Sequence, residues 1–231
     1  MRCEFSNYPA QFWLMFVGMA FAMTGTTMIW PFLMIFASDK LSLTLAAAAS
    51  LMTINAASGL VSAVVAGPIV DRFGRKWAMV ISLVGNGCCY FLLSQAGTYS
   101  AFALIMAISG AFSPLFRVGS DAMLADLFPM GRRADAFALY RMARNIGVAV
   151  GPALGGMVLS RSYNIGLYSA AAGYILYGGL LLLFAKETIP ESVRSERSNL
   201  ADQLRGYWYA IGDKPFMALV GAFTLVQMTT A

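Results

Sequence analysis

The residues of this sequence best suited to chemistry are ionisable side chains that interrupt long apolar segments. Arg117 and Asp121 interrupt the fourth such segment, and Arg144 lies beside Asn145 in the fifth. A charged side chain that faces lipid costs at least about 2.5–3.5 kcal/mol, so we expect these groups to face a helix bundle or a water-filled cavity. A spacing of four residues puts Arg117 and Asp121 on one helix face, where they can pair.

Two interpretations of these charges stay open. In the first, Arg117 and Asp121 form a structural ion pair. In the second, Asp121 accepts a proton while Arg117 holds its charge, and Arg144 and Asn145 contact a substrate. Arg141, which lies one turn before Arg144, is expected to extend its long side chain to the membrane surface.

Other polar and aromatic residues could line the same cavity. Trp30 lies near the middle of the first apolar segment, and Asn55, Ser58 and Ser62 follow one another at helical spacing in the second. Polar side chains inside a membrane also form hydrogen bonds between helices. A cavity lining and an interhelical contact are therefore both open for Asn55.

A short basic segment joins the second and third apolar segments. It reads Gly67-Pro-Ile-Val-Asp71-Arg72-Phe-Gly74-Arg75-Lys76. Its glycines permit a close backbone approach or a positive φ angle, and Asp71 can cap a helix or pair with a nearby base. The segment predicts a tight turn at the membrane surface.

Small residues recur every four positions in the fifth apolar segment. The stretch reads Gly147-Val-Ala-Val-Gly151-Pro152-Ala-Leu-Gly155-Gly156. At about 100° per residue, Gly147, Gly151 and Gly155 form one smooth stripe that lets another helix approach closely. Pro152 removes a backbone donor and loosens the helix. The stretch predicts a helix-packing seam.

The apolar segments that carry these residues account for most of the chain. Of the 231 residues, 59% are hydrophobic and 12% are charged, whereas soluble domains carry about 25% charged residues. One membrane span needs about 20 apolar residues. We therefore predict an all-α, polytopic membrane helical bundle with six transmembrane helices in residues 1–185, a linker in 186–214 and the start of a seventh helix in 215–231.

Charge placement predicts the orientation of this bundle. Basic residues concentrate in the segments that lie on the same side as the N-terminus, and the opposite loops hold only Lys40 and Arg161. By the positive-inside rule, the N-terminus is cytoplasmic. We expect a multi-pass protein of a plasma membrane of the bacterial inner-membrane type. The placement of the basic residues behind the net charge of +5 fits membrane orientation better than nucleic-acid binding. Because the sequence contains no histidine, zinc sites and proton relays built on histidine are excluded. We expect no metal site and no cofactor.

The basic segment and the glycine stripe together resemble the major facilitator superfamily. Gly67 to Lys76 is similar to that family's signature between helices 2 and 3, Gly-x-x-x-Asp-Arg-x-Gly-Arg-Lys. Gly147 to Gly156 is similar to its antiporter signature in helix 5, Gly-x-x-x-Gly-Pro-x-x-Gly-Gly. One feature departs from the family's exporters, because Met106 occupies the position, four residues before Gly110, where they often carry an arginine.

The resemblance implies roles for these residues. The loop would belong to a charge network that stabilises the outward-facing state, in which Arg75 pairs with Asp126 at the inner end of helix 4. Asp71 would meet a helix in the second half of the transporter. The glycine stripe with Pro152 would form part of the interface between the two halves, each of which contains two inverted three-helix repeats.

The resemblance also implies a function. The chain would be the N-terminal half of a twelve-helix secondary transporter that exports drugs or small amphipathic metabolites in exchange for protons. Its partners would be membrane lipid, the C-terminal six-helix half and a small-molecule substrate.

Two alternatives to export remain. Arg117 and Arg144 on one cavity would favour uptake or exchange of an organic anion, and a six-helix membrane scaffold or homodimer is an alternative of another class. An enzyme is not expected, because the spans offer one acid and no histidine.

Overall fold

The computed structural model describes residues 8–189 together with Pro215 and Met217. Its first part consists of six helices, each long and apolar enough to cross a membrane, and it contains no strand between residues 8 and 189. The predicted all-α membrane bundle is therefore confirmed. Residues 190–214 of the predicted linker and most of the predicted seventh helix lie outside the described residues. The helices are α1 (Ala10–Leu41), α2 (Leu45–Phe73), α3 (Arg75–Gln95), α4 (Tyr99–Leu127), α5 (Met130–Leu159) and α6 (Tyr163–Phe184).

The helices are separated by turns of one to three residues, so successive helices run in opposite directions. Thr44 and Thr98 cap α2 and α4, each accepting a hydrogen bond from a first-turn backbone N–H at 3.3 Å. The turn between α2 and α3 consists of Gly74 alone, whose φ angle of 109° is open to glycine but not to ordinary residues. We refer to the side of the bundle with this turn as the α2–α3 end.

The second helix is longer than the sequence pattern predicts. We expect its apolar segment to stop at Gly67-Pro68, but α2 continues through Pro68 to Phe73. A proline inside a membrane helix is tolerated because neighbouring groups satisfy the carbonyl that it leaves without a donor. The predicted ten-residue turn is therefore mostly helix, and within it only Gly74 has a positive φ.

The helices pair in a way that interlocks two repeats. α1 packs mainly on α5, α2 on α4, and α3 on α6. Suppose that α1, α2 and α3 change places with α4, α5 and α6, in that order. The α1–α5 pair then becomes the α4–α2 pair, and the α3–α6 pair stays the same. The bundle thus consists of two inverted three-helix repeats.

Polar side chains of α2 hold it against α4. The Asn55 amide donates to the Met106 carbonyl at 2.9 Å, and the Ser58 and Ser62 hydroxyls donate to the Ala107 and Ala111 carbonyls at 2.5 and 2.6 Å. The close approach depends on a glycine, because a Cβ at Gly110 would collide with the Asn55 backbone. Of the two interpretations of Asn55, the structure shows the interhelical contact.

The glycine stripe of α5 packs against α1. A Cβ at Gly147 would lie 2.7 Å from the Ala20 carbonyl oxygen, and one at Gly151 would lie 2.8 Å from that of Thr24. The Thr27 hydroxyl closes the contact by donating to the Gly147 carbonyl at 3.0 Å. The expectation that this stripe faces the second half of a transporter is therefore wrong for the three glycines, because α1 already covers them.

The two remaining residues of the seam, Pro152 and Gly156, are exposed on the other side of α5. A Cβ at Gly156 would have no neighbour within 4 Å. Only this side of the α5 seam is free for a contact outside the described helices.

Two apolar clusters enclose a polar layer. One cluster, near the α2–α3 end, includes Phe12, Met79 and Leu181. The other, near the opposite end, includes Leu33 and Phe102. Because α1, α3 and α6 contribute to both clusters, the residues between them lie in the middle of the bundle.

Candidate substrate cavity and charge network

A cavity of about 460 Å³ lies in the polar layer between the two apolar clusters. Five helices line it, and α2 does not. The lining residues are Met19, Ala22, Met23 and Thr26 from α1, Leu83 and Asn86 from α3, Ser113, Phe116, Arg117, Ser120 and Asp121 from α4, Phe137, Tyr140, Arg141 and Arg144 from α5, and Tyr174 from α6.

Two of the five helices supply the charges of the cavity. Arg117 and Asp121 extend from α4, and Arg141 and Arg144 extend from α5. The predicted ion pair of Arg117 with Asp121 is not formed, because within residues 8–189 the contacts closer than 4.0 Å between opposite charges all involve Arg75. Arg117 and Arg144 both attract Asp121 from a greater distance. The carboxylate is therefore shared by two arginines and not fixed to either.

The other lining residues are uncharged, and most of them are apolar or carry a hydroxyl group. Met19 and Met23 contribute flexible, polarisable side chains that adapt to varied apolar shapes. The Thr26 hydroxyl hydrogen-bonds the Tyr174 hydroxyl across α1 and α6, and Asn86 accepts a hydrogen bond from Ser109 at 2.7 Å. The cavity is thus amphipathic, because charged and apolar side chains both line it.

The structure brings together only part of the predicted cavity. Arg117, Asp121 and Arg144 line it, whereas Trp30 and Asn55 do not. Trp30 lies outside the cavity and is 40% exposed on the surface of the described bundle. Asn145 borders an open groove along α5, outside the cavity wall. Arg141, which we expect at the membrane surface, lines the cavity because it lies one turn from Arg144 on the same face.

The charge network at the α2–α3 end is centred on Arg75. Its Nε lies 3.0 Å from Asp126 Oδ2 in α4, and its Nη2 lies 3.8 Å from Asp71 Oδ1 one turn earlier. The Arg75 side chain is 8% exposed, so this cation depends on its carboxylates for solvation. Arg72 is exposed, and the Lys76 ammonium lies over the Trp77 ring at 5.9 Å.

Sequence analysis misses a third carboxylate in this network. Glu187, which follows α6, accepts the Arg75 backbone N–H at 3.0 Å and the Lys76 backbone N–H at 3.2 Å. These are first-turn donors of α3, whose N-cap residue Gly74 has no side chain to satisfy them. The missing side-chain cap at Gly74 leaves these donors open to a partner from elsewhere, although nothing local identifies Glu187.

The residues around Glu187 attach the same segment to two more helices. The Thr188 hydroxyl donates to Asp126 Oδ2 at 3.1 Å. The Gln11 amide forms a reciprocal pair with the Lys186 backbone, at 2.9 Å to its carbonyl and 3.2 Å from its N–H. Residues 186–189 therefore connect α1, α3 and α4 at one end of the bundle.

Replacing Glu187 with alanine is expected to lower the free energy of unfolding by about 1 kcal/mol, because two N-terminal donors of α3 lose a charged acceptor. Glu187→Gln should lose less, since the amide keeps one acceptor oxygen. Lys186→Ala is the matched control, because that residue contributes only its backbone. Thermal unfolding in detergent measures the stability of the three variants. Equal stability of Glu187→Ala and Lys186→Ala would contradict the capping role.

No group of three acidic or cysteine side chains within residues 8–189 could hold a metal ion. The chemistry that the described site offers is binding and proton transfer. Its cavity can hold a small molecule, its arginines can bind an anion, and Asp121 can gain or lose a proton.

Comparison with known proteins agrees with this architecture. The family model of the Major Facilitator Superfamily matches residues 15–231. A Na(+), Li(+), K(+)/H(+) antiporter of Planococcus maritimus is 30% identical over 92% of this chain and 54% of its own length. Multidrug resistance protein 1 of Bacillus subtilis is 27% identical over 73% and 43%, and the class H tetracycline resistance protein of Pasteurella multocida is 28% identical over 60% and 34%.

Solved structures show the same fold. A crystal structure of the peptide transporter POT in complex with sulfate superposes with a TM-score of 0.74 over 98% of this chain and 47% of that one, at 19% identity. The chain spans about half the length of the curated relatives it matches. With its six membrane-spanning helices in two inverted repeats, the chain belongs to the Major Facilitator Superfamily.

Proposed function

We propose that this chain supplies one half of a proton-coupled secondary transporter that moves small amphipathic molecules by alternating access. The observation that carries the proposal is the cavity of the bundle, which Asp121 lines together with Arg117 and Arg144 and with apolar side chains of α1, α3 and α4. Substrate sites of such transporters lie near the bilayer midplane between two bundles that rock about them. The second bundle is the C-terminal six-helix half.

Asp121 is the proposed proton-coupling residue. It is the one carboxylate among the described residues that line the cavity. Two arginines attract it without contacting it within 4.0 Å, so neither locks it in the ionised form. A carboxyl group in this position can exchange a proton with whichever side of the membrane the cavity faces.

Export is the proposed direction of transport. The helix 5 signature resembles that of antiporters, and three relatives carry the names antiporter, multidrug resistance protein and tetracycline resistance protein. The protein would lie in the plasma membrane with its N-terminus in the cytoplasm, in agreement with the basic residues at the α2–α3 end.

The network around Arg75 would stabilise the outward-facing state. Its position at the α2–α3 end, with Asp126, Asp71 and Glu187 joining α2, α3, α4 and the segment after α6, supports this role. Opening the cavity toward this end would require the connected elements to separate. Asp71 remains the proposed contact to a helix of the second half.

A second candidate function is uptake or exchange of an organic anion. The specific observation in its favour is the number of arginines, because three of them and one acid line the described part of the cavity. An anionic substrate would be attracted to this wall, and a cationic substrate would be repelled.

The test is transport by the complete gene product in proteoliposomes with an imposed pH gradient and a panel of lipophilic cations and organic anions. Asp121→Asn is expected to reduce gradient-driven transport at least about tenfold, because the coupling carboxyl is lost. Asp39→Asn, which changes an exposed acid at the opposite end, is the matched control and should transport normally. Full gradient-driven transport by Asp121→Asn would end the coupling role, and a scaffold would move no substrate in any variant.

A further inference from the structure

The local sequence of α3 gives neither end of the helix a suitable charge. Arg75 and Lys76 place positive charges in its first turn, which contains no acid, and its last turn contains no basic residue. A helix carries partial positive charge at its N-terminus and partial negative charge at its C-terminus, so this arrangement is unfavourable. Side-chain and left-handed caps are also missing, because Gly74 has no side chain and Ala96 is extended. The end groups of α3 are therefore left to partners from other elements.

A cation from α1 lies at the C-terminal end of α3. Lys40, in the last turn of α1, donates a hydrogen bond from its Nζ to the carbonyl oxygen of Ser94. That carbonyl belongs to the last turn of α3, where the helix itself offers no donor. The Gln95 amide extends the contact to α6 by donating to the Tyr168 hydroxyl at 2.7 Å. The ends of α1, α3 and α6 thus meet around this cation.

The opposite charge holds the other end of α3. Glu187 accepts the backbone N–H groups of Arg75 and Lys76. Its carboxylate matches the positive end of the α3 dipole, as the Lys40 ammonium matches the negative end. We refer to these two contacts as the Glu187 clamp and the Lys40 clamp. Sliding of α3 along its axis in either direction would break one of them.

The axial position of α3 decides what this helix presents to its neighbours. Gly87 lies so close to α6 that a Cβ there would be 3.1 Å from the Ala171 carbonyl oxygen. In the cavity wall, Asn86 of α3 accepts a hydrogen bond from Ser109 of α4 at 2.7 Å. Packed helices can slide by small amounts, and a shift of one residue moves a helix by about 1.5 Å. Such a shift would displace Gly87 from α6 and separate Asn86 from Ser109.

We propose that the Lys40 clamp and the Glu187 clamp together fix α3 along its axis and so keep it in register with α6. Each clamp alone would still oppose displacement, and loss of both would release the helix. Lys40 and Glu187 are thereby positioning residues for Asn86 in the cavity wall. The inference goes beyond the proposed function, because it depends on neither a substrate nor a coupling ion.

Hydrogen–deuterium exchange of the complete gene product in detergent, read by mass spectrometry, tests the proposal. In Lys40→Met we expect about threefold to tenfold faster exchange in residues 91–96 at the end of α3. Glu187→Ala should have the same effect on residues 75–79 at its start. Only the double variant should speed exchange in the middle of α3, residues 82–89, by about tenfold, because one remaining clamp still holds the helix.

Three controls isolate the clamps from other effects. Lys40→Arg keeps the cation and should exchange as the unchanged protein does. Arg161→Met removes an exposed cation at the same end of the bundle and should leave α3 unaffected. Gly155→Ala disturbs the contact of α5 with α1 and not α3. Its exchange in residues 82–89 therefore measures what a general loss of stability contributes.

Independent capping of the two ends would give a different result. If the double variant exchanges faster at both ends of α3 while residues 82–89 exchange no faster than in Gly155→Ala, the proposal is wrong. Failure of Lys40→Arg to restore protection at residues 91–96 would also overturn it. If the double variant does not fold, Glu187→Gln replaces Glu187→Ala in the combination, because the amide keeps one acceptor oxygen, and the same comparison decides.

Discussion

Replacing Gly155 with alanine is expected to force α1 away from α5 and to lower the free energy of unfolding by about 1–3 kcal/mol. The added Cβ would collide with the Met28 carbonyl oxygen and would lie 3.1 Å from both the Met28 carbonyl carbon and Phe32 Cε2. Because most of these atoms belong to the backbone, no side-chain rotation relieves the clash. Thermal unfolding of the complete gene product in detergent measures the loss.

The adjacent glycine provides a matched control. Gly156→Ala makes the same chemical change one residue later, where a Cβ has no neighbour within 4 Å. Gly179→Ala in α6 meets equally open space. Alanine favours a helix over glycine by about 1 kcal/mol, so both controls should be as stable as the unchanged protein or slightly more stable. A Gly155→Ala variant as stable as these controls would contradict the α1–α5 contact.

Asp126→Asn is expected to destabilise the bundle by about 2–3 kcal/mol, because it leaves Arg75 buried without its nearest carboxylate. Asp71→Asn should cost about 1 kcal/mol or less, since that carboxylate is 46% exposed and lies 3.8 Å from Arg75. Both substitutions keep the size of the side chain and remove one negative charge. Chemical unfolding of the two variants side by side measures the difference.

A double variant separates the ion pair from its surroundings. Combining Arg75→Gln with Asp126→Asn removes both charges, so no charge is left buried alone. Its loss of stability should be smaller than the sum of the two single losses. An additive result, or a greater loss in Asp71→Asn than in Asp126→Asn, would show that the 3.0 Å contact does not hold the network together.

The number and type of the elements are predictable because bilayer thickness sets them. A run of about 20 apolar residues must form a helix in lipid, and six such runs give six helices. The bounds are less predictable, as α2 illustrates. Pro68 signals an end in soluble proteins, yet α2 continues to Phe73, since the packing of other helices decides whether a proline is tolerated.

Site residues are predictable from the sequence when exposing their charged side chains to lipid would cost free energy. Arg117, Asp121 and Arg144 are identifiable because charge inside a membrane requires a cavity or a partner. Spacing identifies the face on which Asn55 or Gly151 lies but not the helix that covers that face. Sequence analysis therefore places Asn55 in the cavity as one of two options and assigns Gly151 to the wrong neighbour.

Contacts between distant residues are the part that sequence analysis cannot supply. Glu187 caps α3 from 112 residues away along the chain, and no local pattern links the two. The same holds for Trp30, whose aromatic character suits both a cavity and an outer surface. Only the packed bundle shows that Trp30 is exposed and does not line the cavity.

The pairing of α2 with α4 affects the order of events during synthesis. Asn55, Ser58 and Ser62 each donate to a carbonyl 49 to 51 residues later in the chain. A ribosome that adds about 5–20 residues per second needs roughly 2 to 10 s to produce those acceptors. During that interval the polar side chains of α2 have no partner on α4, so their hydrogen bonds must go to their own helix, to water or to the insertion machinery.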